Sequence, residues 1–195
     1  GAVTQVHEHG DVDVPGDEKC VHTTYVSNTD AWILNLVSRK ETLAVDCEQT
    51  PDRPENVLTD ERVSYDGKAH GAAPTKGLPT RTEKLDSYSD GDPVYQMVQE
   101  AEFDDFGNTV AETDASGGVT TTDYTQPSAG LPESVTETNP LGHTTTTLVD
   151  SARGLPVAET DANGRTMTMA YDPLGRLTGV WLPDRDQAAG DRPTA

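Results

Sequence analysis

Short segments that open on Asp, Asn or Ser and close on Gly recur through the second half of the chain at nearly constant spacing. Asp104-Asp105-Phe106-Gly107, Asp114-Ala115-Ser116-Gly117, Asn139-Pro140-Leu141-Gly142, Ser151-Ala152-Arg153-Gly154, Asp161-Ala162-Asn163-Gly164 and Asp172-Pro173-Leu174-Gly175 share this form. Pro127-Ser128-Ala129-Gly130 falls between the second and the third, and successive glycines from Gly107 to Gly175 lie 10 to 13 residues apart. An Asx or Ser side chain at the first position of a type I turn accepts backbone N–H groups two residues on. Pro at the second position already has the required φ, and Gly at the last tolerates the positive φ that closes a hairpin through a bulge. A series of such segments leaves room only for strands of about six to eight residues joined by tight hairpins.

The residues between the turns agree. Asn108–Thr113, Val119–Tyr124, Ser134–Thr138, His143–Val149, Val157–Thr160, Arg165–Tyr171 and Arg176–Leu182 are rich in Thr and Val, which fit a pleated surface and lose too much freedom in a helix. Only Arg165–Tyr171 has a clearly greasier face, with Met167, Met169 and Tyr171 alternating against Thr166, Thr168 and Ala170. Paired turns define a longer period, opened by Gly107-Asn108, Gly130-Leu131-Pro132, Gly154-Leu155-Pro156 and Gly175-Arg176, with an upstream echo at Gly77-Leu78-Pro79. Repeats of this length signal an array whose units bury their faces only against neighbours. The expected fold is all-β, a meander or spiral sheet of consecutive antiparallel hairpins.

Composition supports an extended sheet. Apolar residues make up 33% of the chain, with two Phe, two Trp and six Tyr, against about 45–50% apolar in ordinary globular domains. A formal net charge of −20 repels phosphate backbones and anionic headgroups, which excludes nucleic acid as a partner and argues against membrane surfaces. The longest greasy stretch, Ala31–Val37, is broken by Asn35 and is far short of the roughly 20 residues a spanning helix needs. The N-terminus, acidic and histidine-bearing, does not read as a signal peptide, so an export signal is expected outside this chain.

The first sixty residues differ from the rest. They hold Cys20, Trp32 and Cys47, and strands are expected near Val21–Val26, Trp32–Val37 and Glu41–Val45. Asp86–Pro93 reads as a loop, and the tail from Asp184 as a loop or frayed end. The expected organisation is therefore a cysteine-containing β segment over 1–60, hairpin repeats over 61–183 and a tail over 184–195. In an exported protein Cys20 and Cys47 form one disulfide contributing about 3 kcal/mol; in a reducing compartment they are two buried thiols.

Tyr171-Asp172-Pro173-Leu174-Gly175-Arg176-Leu177 resembles the YD repeat of RHS proteins, in which Tyr-Asp and two variable residues precede Gly-Arg and an apolar residue. Phe103-Asp104-Asp105-Phe106-Gly107-Asn108 looks like a second copy, and Leu148–Leu155 like a degenerate third. Tyr65-Asp66 departs further. The repeat turn residues carried by this resemblance, with their kin in the meander, are Tyr171, Asp172, Gly175, Arg176, Asp104, Gly107, Asn139, Gly142, Asp161 and Gly164. The resemblance implies a secreted or cell-surface polypeptide whose hairpins wind into a hollow shell, as in polymorphic toxins and Tc-toxin cocoons. Its partners would be the remainder of its own polypeptide, meaning further repeats and a C-terminal effector. In that setting Tyr packs on a neighbouring strand and Asp caps its turn.

A scan for chemistry yields no catalytic residues, no cofactor site and no metal site. No nucleophile elbow, zinc-protease helix or phosphate loop is present. His7 and His9 share one strand face, where Asp11 or His22 would have to supply a third ligand; two exposed edge histidines are the simpler reading. Asp161–Gly164 lacks the alternating oxygens of a calcium loop. Trp32, Tyr171 and Trp181 are too scattered for a sugar platform and read as packing anchors. The sequence thus reads as a structural shell segment and not as an enzyme; the rival is an adhesin or carbohydrate-binding module facing a cell-surface glycan or protein.

Overall fold

The computed structural model describes residues 1–11, 13–14, 16–126 and 131–195; the expected turn at Pro127–Gly130 lies outside them. Thirteen strands pair in strict chain order. They are β1 (Gln5–Glu8), β2 (Lys19–Asn28), β3 (Ile33–Leu43), β4 (Val57–Tyr65), β5 (Pro79–Ser89), β6 (Asp92–Phe103), β7 (Thr109–Asp114), β8 (Val119–Thr125), β9 (Ser134–Thr138), β10 (Thr144–Asp150), β11 (Leu155–Thr160), β12 (Thr166–Tyr171) and β13 (Leu177–Trp181). Among the described residues the one helical element is a single 3-10 turn, Thr29–Ala31. The fold is the all-β hairpin array that the turn series demands.

The chain divides into two compact units, one of residues 1–108 with 112–117 and the other of 109–111 with 118–195. In the first, the buried apolar residues are Cys20, Val21, Leu43 and Pro74. Polar Ser38, Glu41, Asp60, Ser64 and Glu83 are equally buried. In the second, Ala158 and Trp181 are the buried apolar residues. Strands make their contacts with the strands next to them in chain order, as expected of an array.

The second-half strands fall where the sequence places them; the first half departs from expectation. The two strands expected at Trp32–Val37 and Glu41–Val45 are one strand, β3, whose ladder with β2 shifts register at Thr24/Tyr25 and again at Val26/Asn28. Bulges absorb the irregular residues without ending the pairing. Asp86–Pro93 is not a loop. It is the end of β5, a two-residue turn at Asp90-Gly91 and the start of β6, with φ of 53° and 88° at the turn. Two left-handed residues match the right-handed twist of the flanking strands, which is why so short a connection suffices.

The tail from Asp184 contains no strand of its own, yet it is tied down. Thr194 N–H donates to the Val180 carbonyl at 2.7 Å, and Val180 N–H donates to the Ala195 carbonyl at 2.9 Å. The Trp181 indole N–H donates to the Asp191 carbonyl at 2.8 Å. Its ring covers Gly179, where any Cβ would lie 2.8 Å from a ring carbon.

Candidate functional site: the repeat turns and a buried charge lattice

The repeat turns share one geometry. In the 104–107, 139–142, 161–164 and 172–175 turns, the closing Gly N–H donates to the first residue's carbonyl at 2.9–3.2 Å. The first residue's own N–H returns to the carbonyl just beyond the Gly at 2.9–3.0 Å. Its side chain then accepts two further N–H groups: Asp172 from Leu174 and Arg176, Asp161 from Asn163 and Arg165, Asn139 from Leu141 and His143, and Asp104 from Phe106 and Asn108, all at 2.8–3.0 Å. Gly107, Gly142, Gly164 and Gly175 have φ between 74° and 87°, a region that side-chain-bearing residues enter at a cost.

These clamps lower the affinity of the carboxyls for protons. The Arg176 backbone N–H, and then its guanidinium at 2.6 Å, hold Asp172 below the usual carboxylate range. The Arg165 N–H does the same for Asp161, and the Asn108 side-chain amide for Asp104. The turn read as Ser151–Gly154 opens one residue earlier: the Asp150 carbonyl accepts from Arg153 and Gly154, and its carboxylate from Ala152. Asp is the better acceptor, and the longer turn accommodates the extra residue. At Tyr65-Asp66 the same pair serves a wider connection. Burial pushes the Asp66 carboxyl up, but N–H groups of Leu78, Thr75, Gly77 and Lys76 outweigh it and hold Asp66 well below the usual range.

Two further devices join strands and successive repeats. Tyr171 hydroxyl donates across to the Pro156 carbonyl at 2.9 Å, Tyr124 to Thr109 at 3.1 Å, Tyr65 to Val37 at 2.7 Å and Tyr25 to Val3 at 2.7 Å. A Leu side chain from one turn also lies against the Gly of the next turn on that edge. Leu78 approaches Gly107, Leu131 approaches Gly154 and Leu155 approaches Gly175, at 3.5–3.8 Å from the Cβ position. Sequence reading found the Gly-Leu-Pro repeat but not this stacking, because the partners lie one unit apart.

Charge pairs fill one face of β3–β6. Arg39 forks onto Asp60 at 2.8 and 2.6 Å and also meets Glu41 at 3.1 Å. Arg53 forks onto Glu41 at 3.0 and 2.8 Å. Glu83 takes Arg62 at 2.7 Å and Arg81 at 3.1 Å, and Arg81 reaches on to Glu100. The Arg62 guanidinium stacks 3.8 Å from the centre of the Tyr95 ring, whose hydroxyl donates to Asp60 at 2.6 Å. Burial, then the Asp60 carboxylate, push the Tyr95 phenol up to about 12. The Asp60 hydrogen bond raises Arg39, and the Arg62 hydrogen bond lowers Glu83. Each buried carboxylate is thus matched by guanidinium groups, an arrangement that braces strands and leaves no carboxylate of the lattice as an unpaired acid or base. Alternating charges in Arg39-x-Glu41, Asp60-x-Arg62 and Arg81-x-Glu83 were the available signal. Its period of two has meaning only once β4 and β5 are placed.

The remaining candidates separate. Cys20 and Cys47 are joined as a disulfide, with Cα atoms 4.9 Å apart, linking β2 to the segment after β3. His7 lies on β1 with Nε2 3.1 Å from Asp46 Oδ2 and its ring 3.8 Å from that of His9. His22 instead faces the Cys20 sulfur at 3.3 Å. Among the described residues no group of three or more His, Cys, Asp and Glu is placed to hold a metal ion. Trp181 is a packing anchor and Tyr171 is half-buried, but Trp32 is 83% exposed at the β2–β3 tip. There, hairpin geometry overrides the general preference of Trp for burial. No helix among the described residues is long and apolar enough to cross a membrane.

Residues 150–185 match the family described as RHS Repeat. A comparison with proteins of curated function gives no match. Among solved structures, the chain is similar to one of TcdB2-TccC3-Cdc42, with a TM-score of 0.63, 14% identity and coverage of 84% of this chain and 11% of the other. Structures of TcdB2-TccC3, and of TcdB2-TccC3 without its hypervariable C-terminal region, each give a TM-score of 0.59 at 14% identity, covering 84% of this chain. At that identity the likeness is one of fold. The chain spans about a tenth of the length of the chains it matches.

Proposed function

From the match of residues 150–185 to the RHS Repeat family, we propose that the chain is a stretch of wall in a larger RHS/YD-repeat β-shell that encloses or presents a C-terminal effector of the same polypeptide. Strict chain-order pairing of the strands carries this reading. A meander that never returns on itself, with few buried apolar side chains, builds surface area and not a closed core. The solved structures of similar fold are of TcdB2-TccC3, one of them with Cdc42 and one without the hypervariable C-terminal region. They support a toxin-like setting outside the producing cell, with further repeats of its own polypeptide as the wall's main partners. On this reading residues 1–60 lead into the repeats, 61–183 form the hairpin wall and 184–195 are a tail. The turn residues and the lattice hold shape and do no chemistry.

The test is limited proteolysis of the native polypeptide that contains this segment. Enclosure predicts a C-terminal region that resists protease in the intact protein and is digested once the repeats are deleted. A C-terminal region digested equally in both would remove the wall reading. The adhesin alternative would take its place if the intact protein bound immobilised glycans through this segment.

A further inference from the structure

Left-handed backbone in this chain falls on residues suited to it, with one exception. Among the described residues, positive φ occurs at thirteen glycines, at Asn35, Asp66 and Asp90, and at Trp32. Asn and Asp enter this region through local hydrogen bonds, whereas a bulky side chain is strained there. Trp32, with φ 55° and ψ 26°, ends the 3-10 turn, and its N–H donates to the Thr29 carbonyl at 3.2 Å. Its ring recovers nothing by packing, being 83% exposed. Folding would be better served by glycine. Such an outlier points to a role outside the fold.

The surroundings give that role a chemistry. The tip is held rigid, because the Asn28 amide donates to the Pro74 carbonyl at 2.8 Å and its oxygen accepts the Ala31 N–H at 3.3 Å. Ile33 and Leu36 pack on Gly77, and Leu78 on Gly107, so the 104–107 turn lies on the same edge of this unit. Phe106 in that turn is 73% exposed. Carboxylates accompany both rings: Asp30 is exposed on the Trp32 tip, and Asp105, with a fully exposed side chain, precedes Phe106. Lys76, on the turn between them, lies 3.8 Å from Asp105. A rigid aromatic beside a carboxylate suits a guanidinium, which stacks on the ring and bonds the acid. The lattice inside this unit already holds Arg62 over Tyr95 in this way, with Glu83 as its carboxylate.

We propose that the edge formed by Trp32 and Phe106 docks a basic, arginine-bearing segment of another protein. The chain's net charge of −20 draws such a partner in and repels an anionic membrane. The inference stands apart from the wall reading and would survive its failure, since it concerns an exposed edge and not what the repeats enclose.

The probe is a fluorescein-labelled peptide alternating Arg and Ser, read by anisotropy at low salt, with Lys-Ser and Glu-Ser peptides beside it. Binding should rank Arg above Lys, with none for Glu. Trp32→Gly should weaken the Arg peptide about tenfold while raising the unfolding midpoint by about 2–4 °C, because glycine relieves the strain. Phe106→Ser and Asp30→Asn should each weaken it several-fold. Asp123→Asn with Glu137→Gln, on β8 and β9, should leave it unchanged and so separates docking from general attraction to an acidic protein. Unchanged affinity in Trp32→Gly would overturn the proposal. So would Trp32-dependent binding of a neutral oligosaccharide without binding of the Arg peptide, or a self-association that Trp32→Gly abolishes.

Discussion

The Arg39–Asp60 pair offers the sharpest test of how the first unit is held. The Asp60 side chain has no exposed surface and takes both arms of Arg39 together with the Tyr95 hydroxyl. Replacing Arg39 by Met leaves a buried carboxylate with one phenol, at a cost of about 3–5 kcal/mol. Replacing Asp60 by Leu is milder, about 1–3 kcal/mol, since Arg39 is one-third exposed and keeps Glu41 at 3.1 Å. The double variant Arg39→Met/Asp60→Leu removes both charges together and should lie within about 1–2 kcal/mol of the parent. Tyr95→Phe, which loses one bond to a charged group, should cost about 1.5–3 kcal/mol. Urea unfolding followed by circular dichroism measures all four, and Arg39→Lys, which keeps the charge but not the fork, stands in if Arg39→Met does not fold. Single costs that simply add in the double variant, or an Arg39→Met cost under about 1 kcal/mol, would refute the view that these groups act as a coupled, desolvated unit.

Three other outcomes are expected. Gly164→Ala and Gly175→Ala should each cost about 1–2 kcal/mol and agree closely, although Leu155 lies 3.5 Å from the Cβ position at Gly175 and nothing lies near Gly164; Asn at either site should cost less, and a cost that follows crowding instead of φ would contradict the strain argument. Asp66 has its folded pKa depressed by backbone donors, so its stabilisation is present above the unfolded value of about 3.9 and disappears as pH falls through and below it; Asp66→Asn should flatten the acid limb of a stability–pH curve while lowering stability at neutral pH. Reduction of Cys20–Cys47, 27 residues apart, should cost about 3.5 kcal/mol on the loop-entropy relation, measured as the shift in urea midpoint with and without reductant.

The second half of the chain was legible from residues alone because every determinant is local. An Asx side chain, a Gly three residues on and a run of Thr and Val lie within one hairpin, so strand positions and turn clamps at Asp104, Asn139, Asp161 and Asp172 could be read in order. The first half was less legible. Bulges in β3 disguise one strand as two, and the Asp90-Gly91 turn is so short that its flanks read as a loop. Neither leaves a periodic apolar trace, since buried positions there are filled by Glu41, Asp60 and Glu83. Tertiary structure alone decided which charges pair, which Leu covers which Gly and that Trp32 stands free of the fold while Trp181 is enclosed. Those outcomes depend on strand register, and register brings together residues 15 to 35 apart in sequence. A turn is written in four adjacent residues; a lattice exists only once the strands that carry it are side by side.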